Sequence, residues 1–433
     1  MVSGGTYGTE EIVHGAGYGR AILILLITPL LWSLPTAFMI GELSSALPYE
    51  GGYYAWVRRA MGNFWGFQEA WLSLIASIFD MAIYPTLFVA YLTRMFPWFQ
   101  EGNRGWWVAF AVVVACALLN IAGVKVVSLT SLWLFLALSA PFVAVVLLAP
   151  FKLGALATAV TKPTTSTVDI LGGLLICMWN YMGWDNASTI ATEVERPQRT
   201  YPRAMLVAVC IVAVSYILPF AAMWATGLKS TAWETGSWAD IAGLLGGPLL
   251  RVGVVLGGMI SAFGMFNALV MSYSRLPLAM AQDGMLPAVF SKLHKKSKAP
   301  WVAILFLATG WAMCLGLGFA KLVTLDIMLY GFSLLLEFVA LVVLRFREPN
   351  LARPFRVPGG WLGVIAIGIP PMLLLGFSGF SEIRSDTSQV WHMSPAAFCM
   401  VLIAAGFVAY AVNYALRPGG WSARPEEKPQ PAA

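Results

Sequence analysis

The sequence has little charge. Of its 433 residues only 11% are Asp, Glu, Lys or Arg, against about 25% in a soluble domain. That excludes a water-soluble enzyme, a nucleic-acid-binding module and a disordered regulator. Histidine is scarce, at three residues. No paired histidines stand beside carboxylates, as a metal or nucleophile site of a membrane enzyme requires. The five cysteines (Cys116, Cys177, Cys210, Cys314 and Cys399) lie inside apolar runs, without metal-ligand spacing or a disulfide pattern. They read as small membrane-helix residues. The first residues, Gly-rich and carrying Glu10 and Glu11, are not expected to act as a cleavable leader.

What is present is apolar sequence: 59% hydrophobic residues and a mean hydropathy of +0.75. A span of roughly 20 apolar residues crosses about 30 Å of hydrocarbon. Such spans fall near 19–46, 64–92, 106–122, 127–150, 169–193, 204–227, 248–280, 300–319, 322–344, 361–380 and 394–416, with a half-length piece at 3–17. Connections are short, and the Pro-rich tail 417–433 reads as disordered. The net charge of +6 reflects loop bias. With alternate loops on one side, eighteen of the 27 basic residues share that side, Arg58, Arg59, Arg345 and Arg353 among them. This predicts a cytoplasmic C-terminus.

Two spans are broken. The first, VSGGTYGTEEIVHGAG, has Gly4 and Gly5 followed by about twelve residues, roughly 18 Å of helix. The sixth, counting the half-piece as first, is interrupted by Asn180-Tyr181-Met182-Gly183-Trp184-Asp185-Asn186. Breaks at positions one and six point to an inverted-repeat transporter with its site at mid-membrane. The alternative is that the glycines only allow close helix packing.

The segments VSGGTYGTEE, GELSSALPYEGGYYAWVRRAMGNFWGFQEAW, ATEVERPQRTYPRA and MAQDGMLP resemble the amino acid–polyamine–organocation permeases. The chain is most similar to the polyamine uptake and L-type amino acid transporter-like branch. That branch has a first motif similar to SGGPFG-x-E-[DE] and a D-x-A-x-YP element, here Asp80 to Pro85. The resemblance implies an all-α integral membrane protein of about twelve spans with a LeuT-like five-plus-five inverted-repeat fold. Residues 1–150 would form the first repeat, 169–344 the second, and 361–416 two additional spans. It also implies a half-helix before the SGG break, so we expect roughly 15–30 further residues upstream of Met1.

Four carboxylates sit at depth: Glu11, Asp80, Asp185 and Glu337. Intramembrane charge costs about 2.5–3.5 kcal/mol per residue on insertion scales. Surplus negative charge suits an amine or a proton. Asp80 and Tyr84, at i and i+4, share a helix face and together suit an ammonium by charge and cation–π attraction. Asp80 is otherwise a protonated core residue. Glu337 serves substrate, proton or packing. Asp185 binds substrate or caps the second half-helix. Glu10 and Glu11 read as first-turn residues of the half-helix after Gly5, and Glu11 is alternatively a substrate contact. Ser3, Gly4 and Gly5 offer backbone N–H groups to a substrate carboxylate, if there is one. Trp179, Tyr181 and Trp184 form an aromatic wall or pack, and Asn180 binds substrate or stitches the unwound backbone.

Glu42 and the GGYYAWVRRAMG run read as a gate or loop-folding element, and Glu69 lies near the same interface. The basic run Lys292–Lys296 anchors to headgroups, and His14 is a bystander or a proton relay. Leu138 stands where some relatives carry a fifth-span lysine. Ser272 and Ser274 offer sodium ligands, although such serines usually bond their own backbone. A proton is therefore the expected coupling ion ahead of sodium.

The expected function is a secondary transporter of polyamines or amino acids in the cell membrane. It needs no organic cofactor, nucleic acid or obligate protein partner. The alternatives are a neutral amino acid permease whose carboxylates serve protons only, and a non-transporting nutrient sensor.

Overall fold

A computed structural model describes residues 5–49, 51–123, 128–157, 169–184, 186, 197–384, 390 and 392–416. The described elements are helical apart from an isolated bridge between Val390 and Met393. In chain order they are α1 (Glu10–Ala16), α2 (Tyr18–Thr28), α3 (Leu34–Ala46), α4 (Gly52–Met61), α5 (Asn63–Met95), α6 (Arg104–Ala122), α7 (Ser128–Leu148), α8 (Ile170–Asn180), α9 (Pro197–Ala225), α10 (Trp238–Gln282), α11 (Trp301–Met313), α12 (Phe319–Arg347), α13 (Gly360–Arg384) and α14 (Pro395–Ala415).

Nine helical stretches among the described residues are long and apolar enough to cross a membrane. One is α2 joined to α3 through a π-helical turn at Pro29–Ser33. Pro29 and Pro35 lack N–H groups, so the ladder of hydrogen bonds widens between them. Helix α10 bends at Gly247, whose φ of 74° no helix accommodates. The bend separates a short leading helix from the span expected at 248–280. Two apolar helices are shorter, α8 and α11. The eleven residues of α8 reach only about 16 Å, half a bilayer, so the expected break in the sixth span is real.

The first half-helix differs from the reading of a helix that starts after Gly5. Residues 5–8 are turns, with Gly5 at φ 68° and Gly8 at φ 89°, and the helix starts at Glu10. It stops at Gly17, φ 75°.

Helix α5 is the central post, packed along its length against α10 and α12. Two glycines bring α10 close to the segment before α1 and to α5. A Cβ on Gly257 would stand 2.1 Å from the Tyr7 hydroxyl, and one on Gly258 2.6 Å from the Tyr91 ring. Tyr7 and Tyr91 themselves meet edge to face, with centroids 5.2 Å apart. The periphery is apolar and open, as lipid contact requires: Leu249, Leu362 and Leu147 stand exposed on α10, α13 and α7.

Candidate functional site

Asp80 lies mid-way along α5 and is 3% exposed. Its Oδ1 accepts the indole N–H of Trp179 at 3.0 Å and the Tyr84 hydroxyl at 3.4 Å, and its Oδ2 accepts the Tyr273 hydroxyl at 3.1 Å. These three donors are uncharged. They orient the carboxylate without cancelling its charge. Trp179 ends the helical part of the broken sixth span, Tyr84 comes from α5 and Tyr273 from α10. Three spans therefore converge on one carboxyl group. The rings form a box: Trp179 meets Tyr84 at 6.0 Å and Phe319 at 5.6 Å between centroids.

The sequence reading missed several members of this site. Tyr273 reads as one aromatic among many in an apolar span, and only folding brings it to Asp80. Asn186 donates to the Tyr273 hydroxyl at 3.4 Å, and its carbonyl accepts from Ser272 at 3.1 Å. Ser272 thus ties the break to α10, while Ser274 bonds its own helix at the Met271 carbonyl. Asp326 on α12, 1% exposed, lies within electrostatic range of Tyr273 together with Asp80. A second carboxyl group therefore lies in the neighbourhood of the Tyr273 hydroxyl.

Not every expected residue gathers here. Glu337 is fully buried on α12 but eleven residues beyond Asp326, about 16 Å along the helix. It lies one turn past Ser333, whose hydroxyl donates to Glu69 Oε1 at 2.5 Å; Ser73 donates to the same oxygen at 3.1 Å. Tyr181 faces away from Asp80. Its hydroxyl donates to the Leu25 carbonyl at 3.0 Å, and its own carbonyl accepts from Ser33 and Trp184. Tyr181 fastens the unwound chain to the second span, and Trp184 braces the break itself. Asn180 stitches, as one reading held, with Nδ2 on the Ile176 carbonyl at 2.9 Å. Its Oδ1 is buried with no partner among the described residues. Ser3, Gly4 and Asp185 lie outside the described residues.

Glu10, not Glu11, is the carboxylate buried at the first break. It accepts the Gly8 N–H at 2.7 Å, the Gly236 N–H at 3.1 Å and the Tyr91 hydroxyl. Glu11 bonds the Thr235 hydroxyl and lines a separate cavity with His14. The segment around Gly236 is in turn held by Arg94, which pairs with Glu234 and Asp240, both at 2.9 Å.

The other end of the bundle is basic and tightly clasped. Arg58 pairs with Asp283 at 2.6 Å, and Tyr54 donates to the same carboxylate at 2.8 Å. Two of the signature segments, GGYYAWVRRAMG and MAQDGMLP, meet in that bond. Glu42 is buried against Arg345, with Arg353 at 3.3 Å and the Val357 N–H at 2.7 Å.

The sequence profile of the amino acid permease family matches residues 1–414. The chain belongs to that family. The permease is 36% identical to the polyamine transporter RMV1 of Arabidopsis thaliana, over 87% of its own length and 76% of the relative's. It is 37% identical to the polyamine transporter PUT1 of Oryza sativa subsp. japonica, over 93% and 75%. The serine/threonine exchanger SteT of Bacillus subtilis is more distant, 26% identical over 89% of this chain and 86% of the relative. The permease is a multi-pass membrane protein of the LeuT fold, and a transporter rather than an enzyme.

Proposed function

We propose that the permease carries polyamines, with Asp80 as the ammonium ligand, by alternating access in the cell membrane. The two relatives that are 36% and 37% identical are polyamine transporters. The observation that carries the reading is the Asp80 box: a buried carboxylate oriented by three uncharged donors and walled by Trp179 and Tyr84. Ammonium groups gain from both carboxylate and ring face in a desolvated pocket. Asp326 supplies a second negative charge for a second amine.

A second observation favours amines over amino acids. An amino acid needs N–H donors at a half-helix start for its carboxylate. Here the Gly8 N–H is already taken by Glu10, a carboxylate of the chain itself. An amine asks nothing of that donor.

In this reading residues 1–150 and 169–344 are the two repeats, one helical bundle rocks against the other, and the basic end with Arg58 and Arg345 is cytoplasmic. Each end has a clasp to open in turn: Arg58–Asp283 at the basic end and Arg94–Glu234 at the other. Protons are the coupling ion, with Glu69 and Glu337 as the buried carboxylates between Asp80 and the basic end.

Uptake of radiolabelled putrescine into proteoliposomes tests the reading, chased by spermidine, arginine and leucine with and without a pH gradient. Competition by spermidine and stimulation by an inside-alkaline gradient are expected. Competition by leucine alone would overturn it and make the carboxylates proton or structural groups.

A further inference from the structure

Glu69 on α5 is fully buried, eleven residues before Asp80, about 16 Å along the helix. It makes a three-cornered contact with two serines. Ser333 on α12 lies 2.5 Å from its Oε1, Ser73 on its own helix lies 3.1 Å from the same oxygen, and the two hydroxyl oxygens stand 2.9 Å apart. Each side of this triangle needs one hydrogen, and each serine supplies one. With Glu69 ionised, both serines donate to Oε1 and the side between them brings two oxygen atoms together with no hydrogen. A carboxylic acid supplies the third hydrogen and turns the Ser73 contact round. The ring then runs in one direction: Glu69 donates to Ser73, Ser73 to Ser333, and Ser333 to Glu69.

The elements packed on α5 bring other titratable groups to this end of the bundle. They are Tyr53, Tyr54, Arg58 and Arg59 on α4, Arg275 on α10, Glu337 and Arg345 on α12, and the phenols Tyr410 and Tyr414 on α14. Arg58, Arg59 and Arg345 are held by Asp283, Glu348 and Glu42.

We infer that Glu69 is the carboxyl that carries the coupled proton, and that the packing of α12 on α5 holds the proton there. The inference rests on the proton-coupled reading above and assigns the proton to one residue. Ser73 and Glu69 share a helix and move together. Ser333 belongs to α12, so parting of the two helices opens the ring. The protonated form thus favours the packed state and the ionised form the parted one. Gly66, three residues before Glu69, lies against Arg58: a Cβ on it would stand 2.6 Å from the Arg58 Cβ. Glu69 therefore sits one turn inside the basic clasp. When the Arg58–Asp283 pair opens, water reaches the carboxyl, its O–H bond breaks, the proton passes to water and a hydrated carboxylate remains. Closing the ring again requires a proton, which in inward symport arrives from the side of Asp80.

Infrared difference spectroscopy of the full chain in lipid nanodiscs tests this without substrate. At neutral pH the wild type should show a protonated-carboxyl C=O band that Glu69→Gln removes. Ser73→Ala and Ser333→Ala should each shift that band, which a purely structural role for the serines would not do. In proteoliposomes, Glu69→Gln should lose the stimulation of putrescine uptake by an inside-alkaline gradient. Its unfolding temperature should stay near the wild-type value, because the neutral amide still brings hydrogens to the ring. Absence of an acid band assignable to Glu69, or gradient stimulation that survives in Glu69→Gln, overturns the inference and leaves the amine reading intact. A wild type that carries no putrescine overturns the amine reading instead, and the infrared band still decides whether Glu69 holds a proton.

Discussion

The Trp179 indole donates to Asp80 at 3.0 Å, joining the end of a broken helix to the middle of an unbroken one. Movement of α8 against α5 stretches or breaks that bond. Under the proposed alternating access, a shift of one bundle against the other frees the carboxylate for an amine in the place that Trp179 leaves. Binding and motion meet at one oxygen atom.

Asp80→Asn should lower polyamine uptake at least tenfold with normal folding, because the amide oxygen still accepts from Trp179 and the amide NH2 can donate to the Tyr273 hydroxyl, but the side chain offers no charge. Trp179→Phe should do less, keeping the ring and losing only the hydrogen bond. Initial uptake rates with matched protein amounts measure both. Unchanged rates in the Asn variant would take Asp80 out of the site.

Glu10→Ala should have two effects. The buried Gly8 and Gly236 N–H groups lose their partner, at a cost of about 1–3 kcal/mol each, so thermal unfolding should shift down. The freed donors should also let leucine compete with putrescine, which the amine reading does not expect of the wild type. A destabilised variant without amino acid competition would make Glu10 a purely structural clasp.

Gly257→Ala should destabilise the permease by about 1–3 kcal/mol, the usual cost of overpacking, since the new methyl would fall 2.1 Å from the Tyr7 hydroxyl. Adding Tyr7→Phe removes that oxygen and should recover most of the loss. Unfolding temperatures of the single and double variants decide it. No recovery would place the conflict in the backbone.

Arg345→Met leaves Glu42 buried beside Arg353 alone. Losing one partner of such a buried pair costs about 3–5 kcal/mol. The double variant with Glu42→Leu should regain part of it, because the stranded charge goes too. Equal unfolding temperatures for single and double variants would contradict this.

Glu348 at the end of α12 accepts two hydrogen bonds from Arg59, which hold its carboxyl below the usual range. The folded value is depressed, so the stabilisation is present above the unfolded value of about 4.3 and lost as pH falls through the folded one. Both side chains are partly exposed, so the size is about 0–1 kcal/mol. Glu348→Gln should differ slightly from wild type at neutral pH and converge with it below pH about 4. Curves that diverge on acidification would refute the assignment.

Membrane class, span positions and the two breaks were legible in the sequence because they depend on local quantities. Length of apolar run, glycine at positive φ and polar residues in apolar surroundings are read without knowing any neighbour. Asp80 stood out for the same reason, as a carboxylate in hydrocarbon with Tyr84 one turn away. The SGG and GGYY segments carried the family resemblance, which the match over residues 1–414 bears out.

What the tertiary structure decided was partnership. Tyr273 lies 193 positions from Asp80, and nothing local distinguishes it from tyrosines that pack. Glu10 and Glu11 are adjacent in the chain, but a helix turns side chains by about 100° per residue. One carboxylate therefore points into the protein and the other to a cavity, and the helix start alone settles which. Glu337 stood out in its apolar run and Asp326 did not, and only the packing of α12 on α5 put Asp326 near Tyr273 and Glu337 one turn from the Ser333–Glu69 bond. Composition and periodicity determine that a chain crosses the membrane and where it breaks. Which charges face each other depends on how helices far apart in sequence are rotated and stacked, and that is decided only when they pack.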